Sequence, residues 1–265
     1  MAVIEDVGIR RAPLVTLAGE VDSCGSGHVE EVLAELLESG CGSPRVDLAE
    51  VSFMDTAGLL AILRWCEQFR EKERDFEVVS INPLVRRLFE IAGYSDIIHR
   101  SEERSLPPPP QRQPITDCLA IAEDWEIRSF SVAARLESCK IVRDRIAQMA
   151  ARMPFSKAEQ ADIKLAVGEA AANAIRHGSA ERPQQAVAVR CLATRRKLVV
   201  EISDAGPGFD PHAVPSASAD DGIWEGSMGI DCMRQCMDEV TFRFDEGTTV
   251  RLVKFVGACQ ETANS

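Results

Sequence analysis

Four consecutive prolines, Pro107 to Pro110, constrain this chain more than any other feature. Proline fixes φ near −65° and has no amide hydrogen to donate, so such a run fits neither a helix interior nor a central strand. It favours an extended polyproline II spacer of about 3 Å per residue. The segment Ser105-Leu-Pro-Pro-Pro-Pro-Gln-Arg-Gln-Pro114 therefore reads as a semi-rigid linker, and the polar Glu102-Glu103-Arg104 leads into it. Taking the linker as 105–116 leaves one domain over 1–104 and another over 117–265.

With 265 residues, 45% of them hydrophobic, the chain has material for two packed cores. Its longest apolar runs are too short to span a bilayer. Its first residues, Met-Ala-Val-Ile-Glu-Asp, lack the basic-then-apolar layout of a secretion signal. The expectation is a cytoplasmic protein without a membrane partner. Formal net charge is −12, a poor match for direct binding of nucleic acid through its phosphates. Residues 1–105 hold 11 basic against 20 acidic side chains, which suits docking on a basic surface. The nine cysteines lack small-scaffold spacing and read as reduced, buried thiols. Cys232 and Cys236 form the only close pair and have no further ligands in sequence reach for zinc.

The N-terminal part alternates strand-like and helix-like segments. Strands are predicted over Val3–Ile9, Pro13–Leu17, Arg45–Leu48 and Phe76–Ile81. Helices are predicted around Val29–Leu37, Gly58–Phe69 and Leu84–Ile91, the last ended by Gly93. The result is a small α/β domain with a mixed sheet. In the C-terminal part, a strand over Trp125–Phe130 precedes a helix over about Leu136–Met153. Ser156-Lys-Ala-Glu159 is a capping box that opens the next helix. Strands Ala186–Leu192 and Lys197–Ser203, a loop, a helix over Met228–Met237, and strands Val240–Phe244 and Thr248–Phe255 follow. Helices on one face of a mainly antiparallel sheet give an α+β layout.

Chemistry concentrates in four places of this second domain. Glu169-Ala-Ala-Ala-Asn173-Ala-Ile-Arg-His177-Gly178 puts a carboxylate and a carboxamide one helical turn apart on one face. Asp204-Ala-Gly206-Pro-Gly208 ends a strand with an acceptor and two permissive glycines. Gly226-Ser-Met228-Gly229 leads into a helix, where free amides face anions. Gly247-Thr248-Thr249 brings a hydroxyl into the last strand. Singly, each also fits a turn, a loop or a polar helix face. Their order and spacing together do not.

Residues from about 125 to 255 resemble the GHKL ATPase fold, an α/β sandwich shared by gyrase, Hsp90, histidine kinases and anti-sigma factor serine kinases. Met237-Asp-Glu-Val240 and the short loop between Phe209 and Gly226 resemble the anti-sigma kinase branch. The resemblance implies ATP and Mg²⁺ as cofactors. It implies Glu169 as general base, Asn173 as the metal ligand and Asp204 as the reader of adenine, supported by Thr248. It places Gly206 and Gly208 beside base and sugar. Gly226, Met228 and Gly229 belong to the lid, where the glycines meet the phosphates. His177 is left between phosphate contact and a structural role at the helix end. The acidic lid stretch Asp220-Asp221-Gly-Ile-Trp224 reads as a solvated loop.

The N-terminal domain carries its own signature, Val51-Ser-Phe-Met-Asp55-Thr56-Ala57-Gly58 at the start of an apolar helix. Asp55 or Thr56 suits an N-cap, and a hydroxyl there suits a phosphate. With Gly19-Glu20-Val-Asp22 and Asn82-Pro83-Leu-Val-Arg-Arg-Leu-Phe89, it resembles the STAS domain of anti-sigma factor antagonists. That resemblance implies Thr56 as phosphoacceptor, with threonine where serine is commoner.

The fusion thus resembles a kinase joined to its own substrate. The leading expectation is a serine/threonine protein kinase acting in partner switching, on Thr56 of its own chain or on a separate STAS antagonist. Its acidic N-terminal domain would dock on Arg135, Lys140, Arg143, Arg145 or Arg152, and the family's pairing implies a homodimer. A sigma factor is a further expected partner. The alternative is a non-catalytic protein that sequesters a partner when ATP is bound. A histidine kinase is disfavoured because no His-bearing dimerisation helix precedes the ATP domain.

Overall fold

The computed structural model describes residues 2–5, 13–24, 26–38, 42–98, 102–103, 126–179, 184–208, 228–244 and 247–257. The proline linker, Trp125, Phe209, Gly226 and the acidic stretch with Trp224 lie outside the described residues. Two compact units are present, and each is described by itself.

In the first unit, β1 (Ala2–Glu5) pairs antiparallel with β2 (Leu14–Val21). β2 then runs parallel to β3 (Arg45–Met54), β3 to β4 (Glu77–Ile81), and β4 to β5 (Glu102–Glu103). The sheet is therefore mixed, in the order β1-β2-β3-β4-β5. Parallel neighbours need crossover connections. These are α1 (Ser26–Glu38) between β2 and β3, α2 (Thr56–Glu71) between β3 and β4, and α3 (Pro83–Ile91) with α4 (Ser95–Ile98) between β4 and β5. Leu59, Ile62, Leu63 and Phe69 of α2 are buried with Val15, Leu17, Val46, Leu48 and Val78 of the strands, and this apolar set forms the core. α3 starts as its sequence dictates, with Pro83 in the first turn and Asn82 as N-cap, whose side chain accepts from the Leu84 amide at 2.8 Å.

Three features differ from the sequence expectation. β3 runs on to Met54, because Val51, Phe53 and Met54 are buried. α2 begins at Thr56 rather than Gly58. Glu102 and Glu103, read as part of the polar lead-in to the linker, pair with Ser80 and Ile81 and extend the sheet.

In the second unit all strand pairs are antiparallel, in the order β6-β7-β8-β10-β9. The strands are β6 (Glu126–Ala133), β7 (Ala186–Ala193), β8 (Lys197–Asp204), β9 (Glu239–Arg243) and β10 (Thr248–Phe255). Val187, Val189 and Cys191 of β7 are buried, while Ala186, Ala188 and Arg190 between them are exposed. One face is therefore covered, by α5 (Glu137–Ala150) and α6 (Lys157–Asn173), which also pack on each other. The capping box opens α6 as its sequence requires: Ser156 Oγ accepts from the Glu159 amide at 3.2 Å, and Glu159 Oε2 from the Ser156 amide at 2.6 Å. α7 (Met228–Cys236) carries Cys232 and Cys236, neither in a disulfide and both fully buried. Among the described residues, no helix is long and apolar enough to cross a membrane.

The docking expectation for α5 needs correction. Arg143 is 1% exposed and lies on the buried stripe of Cys139, Val142 and Ile146, so it is no surface cation. Arg145 stacks its guanidinium 4.6 Å over the Phe130 ring. Lys140 is 3.7 Å from Asp144, and Arg152 is 3.5 Å from Glu126. The 3.6-residue period that builds the core stripe takes Arg143 inward with its apolar neighbours.

Candidate functional site

α6 delivers the first group. Glu169 is 3% exposed, and Asn173, one turn on, is half-buried at the end of the helix. The backbone then widens into a π turn over Ala174–Gly178, closed by a 2.9 Å bond from the Ser179 amide to the Ala174 carbonyl. π turns are rare and gather at functional sites. The sequence suggested one continuous α-helix through His177. The wider turn shifts His177 around the axis from its α-helical position, and its side chain is exposed.

The turn brings Gly178 against Asp204 at the end of β8. A Cβ on Gly178 would overlap the Asp204 carboxylate, and one on Gly206 would overlap the backbone of Gly178. Gly247, at φ +135°, lies equally close to the Asp204 carbonyl. Thr248 pairs directly with Asp204 across the β8–β10 ladder and is 4% exposed. Three glycines and a threonine thus crowd one aspartate, with Gly178 against its carboxylate and Gly247 against its backbone carbonyl. Asp204 Oδ1 accepts from the Gly206 amide at 2.8 Å. Burial pushes the Asp204 pKa up, opposed by hydrogen bonds from the Gly206 and Thr248 amides.

Gly208, at φ +75°, adopts a conformation that favours glycine, with Phe244 beside it. Met228 and Gly229 open α7, with Met228 5% exposed. The fold therefore gathers the end of α6, Asp204, Gly206 and Thr248. His177 stays exposed, and Gly226 lies outside the described residues. The sequence reading quoted Gly178 and Gly247 within motifs but gave them no role of their own. The closeness of three backbones around Asp204 supplies that role, and a glycine in each motif was the available signal.

A carboxylate and a hydroxyl flanked by bare backbone suit a flat heterocycle bearing an amine. The donor set also suits a hard cation at Asn173, an amide oxygen. Among the described residues, no group of three or more His, Cys, Asp and Glu could hold a metal ion.

The second candidate lies in the first unit. Asp55 is the N-cap of α2: its Oδ1 accepts from the Gly58 amide at 2.9 Å. Its Oδ2 accepts from the Ser23 amide at 3.1 Å and from Ser23 Oγ at 3.0 Å. This ties the loop after β2 to the start of α2. Burial raises the Asp55 pKa, those donors oppose it, and Asp22 pushes it up further. Thr56 follows as the first helical residue, 8% exposed.

Residues 132–254 match the family described as histidine kinase-like ATPase domain, and residues 8–99 match the family described as Mlab, STAS domain. Fold and site thus define a STAS domain followed by an ATPase domain of the histidine kinase-like class. Serine-protein kinase RsbW of Bacillus subtilis is 32% identical over 136 residues, 48% of this chain and 84% of that protein. RsbW of Bacillus pumilus is 30% identical over 145 residues, 51% of this chain and 88% of that protein. RsbW of Listeria monocytogenes is 26% identical over 144 residues, 52% of this chain and 92% of that protein. The chain belongs to the RsbW family of serine-protein kinases. Among solved structures, the unphosphorylated anti-sigma factor antagonist SpoIIAA is 18% identical over 40% of this chain and 89% of that chain, with a TM-score of 0.35. The RsbU and RsbW domains of a Mycobacterium tuberculosis protein are 18% identical over 49% of this chain and 32% of that chain, with a TM-score of 0.36.

Proposed function

We propose that the second unit binds ATP with Mg²⁺ and transfers the γ-phosphate to a serine or threonine hydroxyl on a STAS domain. The observation that carries this reading is the enclosure of Asp204 by Gly178, Gly206, Gly247 and Thr248 at the end of the helix bearing Glu169 and Asn173. Asp204 accepts a hydrogen bond from the adenine amine, and Thr248 supports it. Asn173 holds the metal through its side-chain oxygen. Mg²⁺ held at Asn173 would supply positive charge against the charge that develops on the phosphates. Glu169 accepts the proton of the attacking hydroxyl as its oxygen bonds to the γ-phosphorus, and the bond to the β-phosphate oxygen breaks to release ADP.

Thr56 is the acceptor within this chain, and a separate STAS antagonist is the other. A sigma factor as second partner, a homodimer and a cytoplasmic location belong to the same reading. The test uses the full chain with γ-labelled ATP. Label is expected on wild type and absent from Thr56→Ala. Label that persists unchanged in Thr56→Ala removes Thr56 from the proposal, and no label on either the chain or an added STAS antagonist removes the kinase activity.

ATP binding is expected to depend on pH through Asp204. Its folded pKa lies above the ordinary carboxylate value, so protonation sets in at a higher pH than for an exposed aspartate. The protonated carboxyl is a poorer acceptor for the base amine. ATP affinity should therefore be full near neutrality and fall as pH drops through that raised pKa. Affinity measured by calorimetry from pH 7.5 downward checks this against Asp204→Asn, which should bind weakly without that dependence.

A further inference from the structure

Two buried side-chain oxygen atoms of the second unit have no hydrogen-bond partner in the protein. They are Ser179 Oγ, in a residue 1% exposed, and Gln185 Oε1. A buried donor or acceptor left unpaired costs about 1–3 kcal/mol, so such atoms are rare and call for an explanation. Their placement supplies one. Ser179 directly follows Gly178, whose Cα lies against the Asp204 carboxylate and beside Gly206. Gln185 directly precedes β7, and its carbonyl accepts from the Ala134 amide at 3.0 Å, so the strand course continues to it. Along β7 the buried residues alternate as Val187, Val189 and Cys191, and Gln185 shares their parity. The ladder pairs Val189 with Ile202 and Ala188 with Ser203. The pairing ends there, one step short of Asp204, so the course of β7 back to Gln185 leads past the end of β8 that carries Asp204. Both residues thus lie at the end of the sheet that carries the carboxylate.

We propose that Ser179 and Gln185 complete the base end of the nucleotide pocket and, with Asp204, select a 6-aminopurine. The inference rests on the nucleotide reading above and adds two residues to it. An exocyclic amine offers two hydrogens, and the ring nitrogen beside it accepts one. Asp204 takes one hydrogen and the Gln185 carbonyl takes the other. The Ser179 hydroxyl donates toward the ring nitrogen, directly or through one ordered water. A 6-keto purine offers an oxygen where the carboxylate and amide carbonyl both need a donor, and it is rejected.

The experiment measures the affinities of the full chain for ATP and for inosine triphosphate by calorimetry, with wild type, Ser179→Ala and Gln185→Leu. Each substitution is expected to weaken ATP binding by roughly five- to tenfold, the effect of one hydrogen bond. Inosine triphosphate, which gains nothing from these groups, should change by less than about twofold. The ligand-free melting temperature of Ser179→Ala should not fall, because the substitution removes an unpaired hydroxyl. Equal losses for both nucleotides, an unchanged ATP affinity, or a lowered ligand-free melting temperature overturns the proposal. Wild type that binds no ATP removes the nucleotide reading itself, and this inference with it. Wild type that binds ATP, with variants that match it, removes this inference alone.

Discussion

Glu169→Gln is expected to slow phosphate transfer by about a hundred- to ten-thousand-fold, the usual contribution of a general base. ATP affinity should stay within about threefold of wild type, because in the proposed mechanism the residue acts on the acceptor hydroxyl rather than on the nucleotide. Glutamine keeps the volume and polarity of a side chain that is 3% exposed one turn before the end of the core-facing helix α6, so the substitution opens no cavity there. Single-turnover transfer from labelled ATP, set beside a separate ATP titration, reads the two quantities independently. Transfer within tenfold of wild type would show that another group takes the proton. Full loss of transfer with ATP-dependent partner binding intact is the signature of a base, since it separates chemistry from ligand binding.

Gly58→Ala should destabilise the first unit by about 3 kcal/mol, at the upper end of overpacking effects. The added methyl would overlap the carbonyl oxygen of Val21 and come within 3.1 Å of the Met54 side chain. The first obstacle is backbone, which no rotamer change can move aside. Val21 ends β2, and the same junction holds Asp55 to Ser23 through two hydrogen bonds. Pushing α2 away therefore stretches the cap as well as the packing. With Trp125 and Trp224 replaced by phenylalanine, denaturation followed by the fluorescence of Trp65, buried on α2, reports this unit. A melting curve superimposable on wild type would show that α2 can retreat without cost. ATP affinity in the second unit provides the internal control and should be unchanged.

Much of this architecture was legible because it rests on local chemistry. The capping box at Ser156, the Asn82-Pro83 start of α3 and the alternating strands of the second unit appear where their residues put them. The candidate site was legible as motifs to the extent that Asp204, Gly206 and Thr248 meet at the ends of β8 and β10, while their part in binding nucleotide belongs to the proposal. Three kinds of information were not. The π turn after Asn173 has no composition of its own, because Ala174-Ile-Arg-His-Gly178 suits an α-helix equally well. Its cause is tertiary, the need to bring Gly178 onto Asp204. Arg143 reads as a surface cation by type and is buried by its position on the α5 stripe. Glu102 and Glu103 form a strand only because β4 offers them an edge, which a two-residue acidic stretch cannot announce.

Strand order in the second unit also bears on how the chain is made. β10 lies between β8 and β9, although it follows both in sequence. As the polypeptide leaves the ribosome, β8 emerges with Asp204 at its end and an unfilled edge, and β9 emerges with no neighbour to join. Only when Thr248–Phe255 appears are both ladders closed, and the same event sets Thr248 beside Asp204. The sheet and the Asp204–Thr248 pairing are therefore finished in one step of vectorial synthesis. A nascent chain short of that strand lacks both the strand that joins β8 to β9 and the threonine beside Asp204.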